Sequence, residues 1–578
     1  MDTKPLTDSA VDDMTTATRY LCAGTHLDEG FARAVIREIE EEHHRAPAPN
    51  HGVNIMVVHE HARRAVQRLT QRNHRLALCL AVSLVLQPAA TLVFWPIAAM
   101  AGGDGVRSLD PRSSRIAAGT GDRPGSARRR VILGAVTRAV VMLVAAWIVT
   151  GVVQILPTPL VYLPGQTLDV LLLVVALVVA PWLVCWQERT EAWQTVSREL
   201  TAEGFAAKHP RTADGAPLTD GNITVYSGYS PFVGTGIERQ TWSLTMHLTP
   251  ARGLTGTIPA QAQAQRGPWT VPIDADDLVE GLAERLSALG AGAPGAAAGI
   301  ANLEVTEKLF VNGTELPQPW VRDSGLTAAV LPDEERPPVT EVPEQLVHAH
   351  RGRDHGPVRH CLRVEVTAWG ADLVLSLFVQ VVLSGGLLSL STTTLLLPPV
   401  RAGYRVADSV LERGARGGPA TTDSGAPAGG GDDTEPVIAA QSLKAGLKDL
   451  AAAPAAVYRE LREPGRRARR NADLLRAIAE DRTFDYGARL SLRELAADSL
   501  YRNYFQRADV TRISQQLDMR LVDYLAQILE ANGLDTTELD DSRTQLLNAG
   551  VIITGGSMSG TIVAGQRNTV STPSAQRG

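Results

Sequence analysis

Three apolar runs dominate the polarity pattern of the chain, all of them within residues 76–187. Leu76 to Ala101 holds no charged residue, Val131 to Leu156 is interrupted only by Arg138, and Val170 to Gln187 is again uncharged. A hydrocarbon core about 30 Å thick takes about 20 apolar residues at 1.5 Å rise, so each run is near spanning length and the three predict a helical membrane block. Arg63, Arg64, Arg68, Arg72 and Arg75 precede the first run; Arg107, Arg112, Arg115, Arg123 and Arg128 to Arg130 follow it. Cytoplasmic flanks are rich in Arg and Lys, so both ends of residues 76–101 belong inside. A re-entrant hairpin broken at Gln87-Pro88 satisfies that; a kinked single span, the alternative, leaves seven arginines outside. Residues 131–156 and 170–187 pair as a second hairpin through Pro157 to Thr167, with Arg138 snorkelling near the cytoplasmic face. Everything from Arg189 onward is then cytoplasmic.

The polar remainder carries two other periods. Leu27, Phe31, Val35 and Ile39 recur every fourth residue and predict a short amphipathic helix after a disordered lead over residues 1–17. Trp242, Leu244, Met246 and Leu248 alternate with polar residues, as do Leu303, Val305, Leu309 and Val311 up to an Asn312-Gly313 turn, and both patterns predict strands. Between them Leu278, Leu282, Leu286 and Leu289 share a helical face behind an Asp274 cap. Leu373 to Val400 has no charge and suits either a membrane helix or strands. Its β-branched residues and the Trp369-Gly370 and Ser384-Gly385-Gly386 turns favour a β-meander. Gly414 to Glu435 reads as a flexible linker. Ser442 to Leu461 reads as a helix, and Asp509 to Ala531 as another, with a stripe through Ile513, Leu517, Leu521, Leu525 and Ile528 and a Gly533 stop. That stripe packs either on neighbouring helices or on a second copy.

The fold class expected is therefore α+β. A helical N-terminal region (1–75), a membrane block (76–187), a mixed α+β domain with a meander (188–405), a linker (406–436), a helical region (437–540) and a Gly-rich β-prone tail (541–578) follow in order.

Charge and composition narrow the chemistry mainly by exclusion. A net charge of -6 with a pI near 6.1 gives no general case for nucleic acid. Arg466, Arg467, Arg469 and Arg470 form a local basic cluster which, with Arg138, is the charge expected to face lipid. Cys22, Cys79, Cys185 and Cys361 are isolated, without metal or disulfide spacing. His59-Glu60-His61 sits in a His-rich patch, but two residues apart on a helix the imidazoles diverge, unlike the i, i+4 zinc pair. Gly228 to Gly236 lacks the Gly-Lys-Ser/Thr of a P-loop and the spacing of a dinucleotide fingerprint. No catalytic, cofactor or metal residue is assigned, and an enzyme is not expected.

From Thr544 to Gln566 the tail is uncharged, and Val551-Ile552-Ile553 and Thr561-Ile562-Val563 bracket a Gly- and Ser-rich stretch. Such segments are candidates for strand stacking. Ile562 to Asn568 resembles the core of RHIM-type amyloid signalling motifs: Ile562, Gly565 and Asn568 match, whereas Val563 replaces a Gln and Ala564 is a weak aliphatic. The resemblance implies self-association through Ile552, Ile562, Gly565 and Asn568, beside the helical stripe at Leu517, Leu521 and Leu525. Thr18 to Cys22, Val225 to Gly234 and Leu547 to Gly556 together resemble a group of uncharacterised actinobacterial integral membrane proteins, in keeping with an Arg-over-Lys, Ala- and Gly-rich composition. That resemblance implies no activity. The function expected is a membrane-anchored scaffold or signalling protein of a bacterial cell membrane, with protein partners or further copies as ligands. The alternative is a transporter or channel component.

Overall fold

The computed structural model describes residues 8–86, 175–209, 221–251, 271–290, 300–408 and 431–537, with short gaps near 319–324, 334, 354, 407, 481 and 499, and Thr91 and Leu539 besides. Residues 92–174, which hold Arg138 and the second apolar run, and 541–578, which hold Ile552, Ile562, Gly565 and Asn568, lie outside the described residues.

The N-terminal part is helical: α1 (Asp8–Leu27), α2 (Glu29–Ile36) and α3 (Ile55–Leu86). α1 corrects the expectation of a disordered lead to residue 17. Asp28 caps α2 by accepting from the Phe31 N–H, and Phe31 and Val35 are buried as the four-residue spacing requires. Further along come α4 (Ala180–Gln194), flanked by π-helical turns Val175–Val179 and Thr195–Glu199, and α5 (Ala202–Lys208).

A six-stranded mixed sheet follows, built from β1 (Ile223–Tyr226), β2 (Ile237–His247), β3 (Leu303–Asn312), β4 (Val358–Ala368), β5 (Leu373–Ser384) and β6 (Leu387–Leu397). Its order is β1-β3-β4-β5-β6-β2. β1 runs parallel to β3 and every other pair is antiparallel. The uncharged stretch from Leu373 is thus the inner hairpin of the meander, with Trp369, Gly370, Gly385 and Gly386 supplying positive φ at its turns. Burial on both sheet faces explains its membrane-like hydropathy.

Further helices complete the chain: α6 (Ala275–Gly290), α7 (Leu326–Val330), α8 (Glu344–His348), α9 (Gly431–Glu480), α10 (Leu492–Leu495) and α11 (Tyr504–Ala531). The main core lies between one face of the sheet and α6 with α11. A second core joins α1–α3 to Val196, Leu200, Val400, Tyr404 and the Leu492–Ala496 turn. α3, α4 and α9 pack along one another as a stalk.

The boundaries expected from composition therefore shift. The helical region 437–540 divides between stalk and sheet, and the N-terminal region is not separate from the C-terminal one. α9 starts at Gly431, inside the expected linker. The apolar run from Leu76 begins as an unbroken continuation of α3.

Candidate functional site

In the stalk, α3 stacks its arginines on one side, and they meet acids of the helices beside it. Arg72 pairs with Glu29 at 3.3 Å, Asp449 at 3.4 Å and Glu188 at 3.8 Å. Asn73 donates to Glu460 at 3.0 Å. One turn onward the seam turns apolar: Leu76, Leu80, Leu177, Cys185, Leu450 and Ala453 close into a small core. The other side of the α3 tip is exposed, with Leu78 at 64 % and Val85 at 84 % exposure and Val82 and Leu84 also exposed, as is Leu183 on α4. α3 runs outward while α4 and α9 run so that Leu177 and Leu450 meet its outer end. Glu199 and Arg467 meet its inner end through Arg64 and through Glu40, which also pairs with Arg63.

The inner end of the stalk carries a histidine relay. Arg68 donates to His26 Nδ1, leaving the His26 proton on Nε2, which stands 2.9 Å from His61 Nδ1. Burial first and then Arg68 hold His26 down to about 2; burial and Arg64 hold His61 at about 4. Both rings are neutral at physiological pH, so the relay is a packing device there. Among the described residues no group of His, Cys, Asp and Glu could hold a metal ion.

On the sheet, the face away from α6 and α11 is polar in its middle. Glu365 on β4 lies between His51 at 3.2 Å and Arg363 at 3.1 Å, and Lys308 on β3 is buried nearby. Burial would raise the Glu365 carboxyl, but Arg363 and His51 pull it below the usual range. The Gly-rich loop roofs this face: Phe232 packs on Phe378 and Phe310 at ring separations of 4.8 and 5.5 Å. Gly234 and Gly236 have positive φ, and a Cβ there would stand 2.3 Å from Pro49 O and 2.1 Å from Leu396 O. The loop is a clamp between N-terminal segment and sheet. The small cleft beneath it is lined by Pro49, Thr224, Thr235, Phe310, Lys308 and Arg363 among others. Burial pushes the Cys361 thiol up to about 12, which keeps it protonated.

The residues expected to make contacts fall into three groups. Leu517, Leu521 and Leu525 are buried in the main core against the sheet, at 1 %, 0 % and 0 % exposure. This resolves the stripe's two readings in favour of the chain's own packing, and a second copy cannot reach it. Arg467 bonds Glu40 and Glu41, and Arg470 bonds Glu41, while Arg466 and Arg469 are exposed. The cluster is 16–20 residues along α9 from Leu450, roughly 24–30 Å of helix. Arg138, Ile552, Ile562, Gly565 and Asn568 lie outside the described residues.

Two buried groups carried no sequence signal. His51 has no local pattern around it, and its acid, Glu365, is more than 300 positions away on β4. Asp518 interrupts the α11 stripe, is 7 % exposed, and accepts from Trp242 Nε1 at 3.1 Å.

Most of this sheet, with α6 and α11 on one face, falls within a known family unit: the AbeC-like domain model matches residues 241–559. That is more than half of the chain. The chain belongs to the AbeC-like domain family. The AbeC-like unit begins inside β2 and takes in α6, β3–β6, α9 and α11, leaving out α1–α5 and β1. No curated protein and no solved structure matches the chain.

Proposed function

We propose that this protein is a membrane-anchored scaffold or signalling module: its apolar runs hold the stalk in a bacterial cell membrane, and the AbeC-like unit and the tail are presented to protein partners on the cytoplasmic side. The observation that carries this reading is the bare apolar side of the stalk tip, where Leu78, Val82, Leu84 and Val85 face outward just before the remaining apolar runs. In water each fully exposed Leu or Val forgoes about 1.5–3 kcal/mol of burial; in hydrocarbon that cost vanishes.

No helix among the described residues is long and apolar enough to cross a membrane, so the reading rests on the runs that continue from α3 and lead into α4.

Single cysteines introduced as Arg115→Cys, Tyr162→Cys, Arg336→Cys and Gly430→Cys, labelled with an impermeant maleimide from outside intact cells, test the topology. Labelling at 162 alone agrees with two hairpins. Labelling at 115, 336 or 430 removes the cytoplasmic placement and the partners with it.

A further inference from the structure

β2 is an edge strand, and its inner neighbour is β6. Just past its end the Leu248 N–H bonds Gly386 O, on the β6 side. The next turned-out positions bond elsewhere: Ala251 N–H to Gly533 O, and Asp535 N–H to Thr249 O, an antiparallel bridge centred on Pro250 and Leu534. Successive strand residues turn their backbone groups to opposite sides. Thr249 and Ala251 therefore mark the outer edge, and His247, Thr245, Ser243 and Thr241 continue it. No other described strand pairs with that edge. On the core face of the same strand, Trp242 and Leu244 are only half-buried. A long strand left this way is a template for another.

The chain beyond α11 is thus delivered to the open edge in antiparallel sense. Leu539, buried in the main core, keeps it there. After that anchor the sequence Leu546 to Thr554 alternates: Leu547, Ala549, Val551 and Ile553 on one side, Leu546, Asn548, Gly550, Ile552 and Thr554 on the other. The first set is wholly apolar and the second mixed, the pattern of a half-buried strand. The family unit starts at residue 241, on β2, and stops at 559, just after this segment. Its two ends would lie side by side.

We propose that residues 546–554 of the same chain add to the outer edge of β2 as an antiparallel seventh strand, with Val551 and Ile553 extending the core over Trp242 and Leu244. Residues 252–270 are the competing cover, but carry Pro259, Pro268, Arg252 and Arg266, which suit an edge-blocking loop better than a strand. The tail then has two parts: a docked one, and beyond Ser559 a separate one bearing Ile562, Gly565 and Asn568. The proposal is independent of membrane anchoring.

Hydrogen exchange of the full chain in detergent, read by mass spectrometry on peptides covering 240–248, tests it. The full chain and a form ending at Ser559 are expected to protect the amides of Thr241, Ser243, Thr245 and His247. The full-length double variant Val551→Asp, Ile553→Asp is expected to lose at least tenfold of that protection while β4 and β5 keep theirs. Unchanged exchange in the double variant overturns the proposal, because the edge is then covered by something else or by nothing. Loss of protection on dilution of the wild-type protein also overturns it, since the added strand would then come from a second copy.

Discussion

At Asp518 charge and burial conflict openly. It lies in the α11 stripe with one described hydrogen bond, from Trp242. Burial pushes its carboxyl from the ordinary 3.8 up to about 6, with the Trp242 bond working the other way. At 1.36 kcal/mol per decade, keeping it ionised costs the fold roughly 3 kcal/mol. A carboxyl raised on folding contributes fully below its unfolded value of about 3.8, and the contribution is lost as pH rises through about 6. Asp518→Asn keeps an oxygen for Trp242, adds an NH2 that costs about 1 kcal/mol unbonded, and removes the titration. The variant should be more stable than the parent by about 2 kcal/mol at pH 8, and the advantage should shrink by about 2 kcal/mol at pH 4.5. Pulse proteolysis across a urea series, on the detergent-solubilised full chain, measures the difference at both pH values. A stability difference that does not change with pH would refute the assignment of a buried, titrating carboxylate.

Three further outcomes follow from other parts of the body. Arg493 is fully buried and donates to Asp372 O and Pro398 O, both at 3.0 Å, so Arg493→Met should destabilise by about 3 kcal/mol or more, seen as a lower urea midpoint or loss of folded yield. Gly236→Ala puts a Cβ against Leu396 O at positive φ; a loss on the order of 3 kcal/mol is expected, with faster exchange of β6 amides, and no loss would mean the loop does not clamp the sheet. Glu307 is bound by Arg351 at 2.5 Å and by His360 at 2.9 Å; burial opposes the shift, but these bonds draw it down to about 2. Its contribution is present above about 4.5 and lost as pH falls through about 2, so Glu307→Gln should cost about 1 kcal/mol at pH 7, and a cost that persisted below pH 2 would contradict the ion pair.

The sheet was readable where one face is buried and period two survives, as in β2 and β3, and where turn residues interrupt an apolar run, as at Trp369-Gly370 and Gly385-Gly386. β1 escaped notice because four residues flanked by loops carry too little pattern, and its parallel pairing with β3 depends on chain far away. The amphipathic stripe of α11 was plain, but its partner was not: a period of 3.6 shows that a face is buried, never against what. The basic residues near 466–470 read as a lipid contact because linear sequence hides the acids Glu40 and Glu41 that neutralise part of them. Likewise the Glu365 site joins positions 51 and 365, and no local window contains both.

The second core has a temporal consequence. Arg45 reaches Asp485 O across 440 positions, and α1 and α2 bury Phe31 and Val35 beside Leu492 and Leu495. At a ribosomal pace of about 5–20 residues per second, roughly 20–90 s separate the emergence of those two surfaces. During that interval the apolar runs of residues 76–187 leave the ribosome as well. The first helices wait with their greasy sides uncovered until the last quarter of translation, so a nascent chain stopped short of residue 490 should be a substrate for chaperones or proteases.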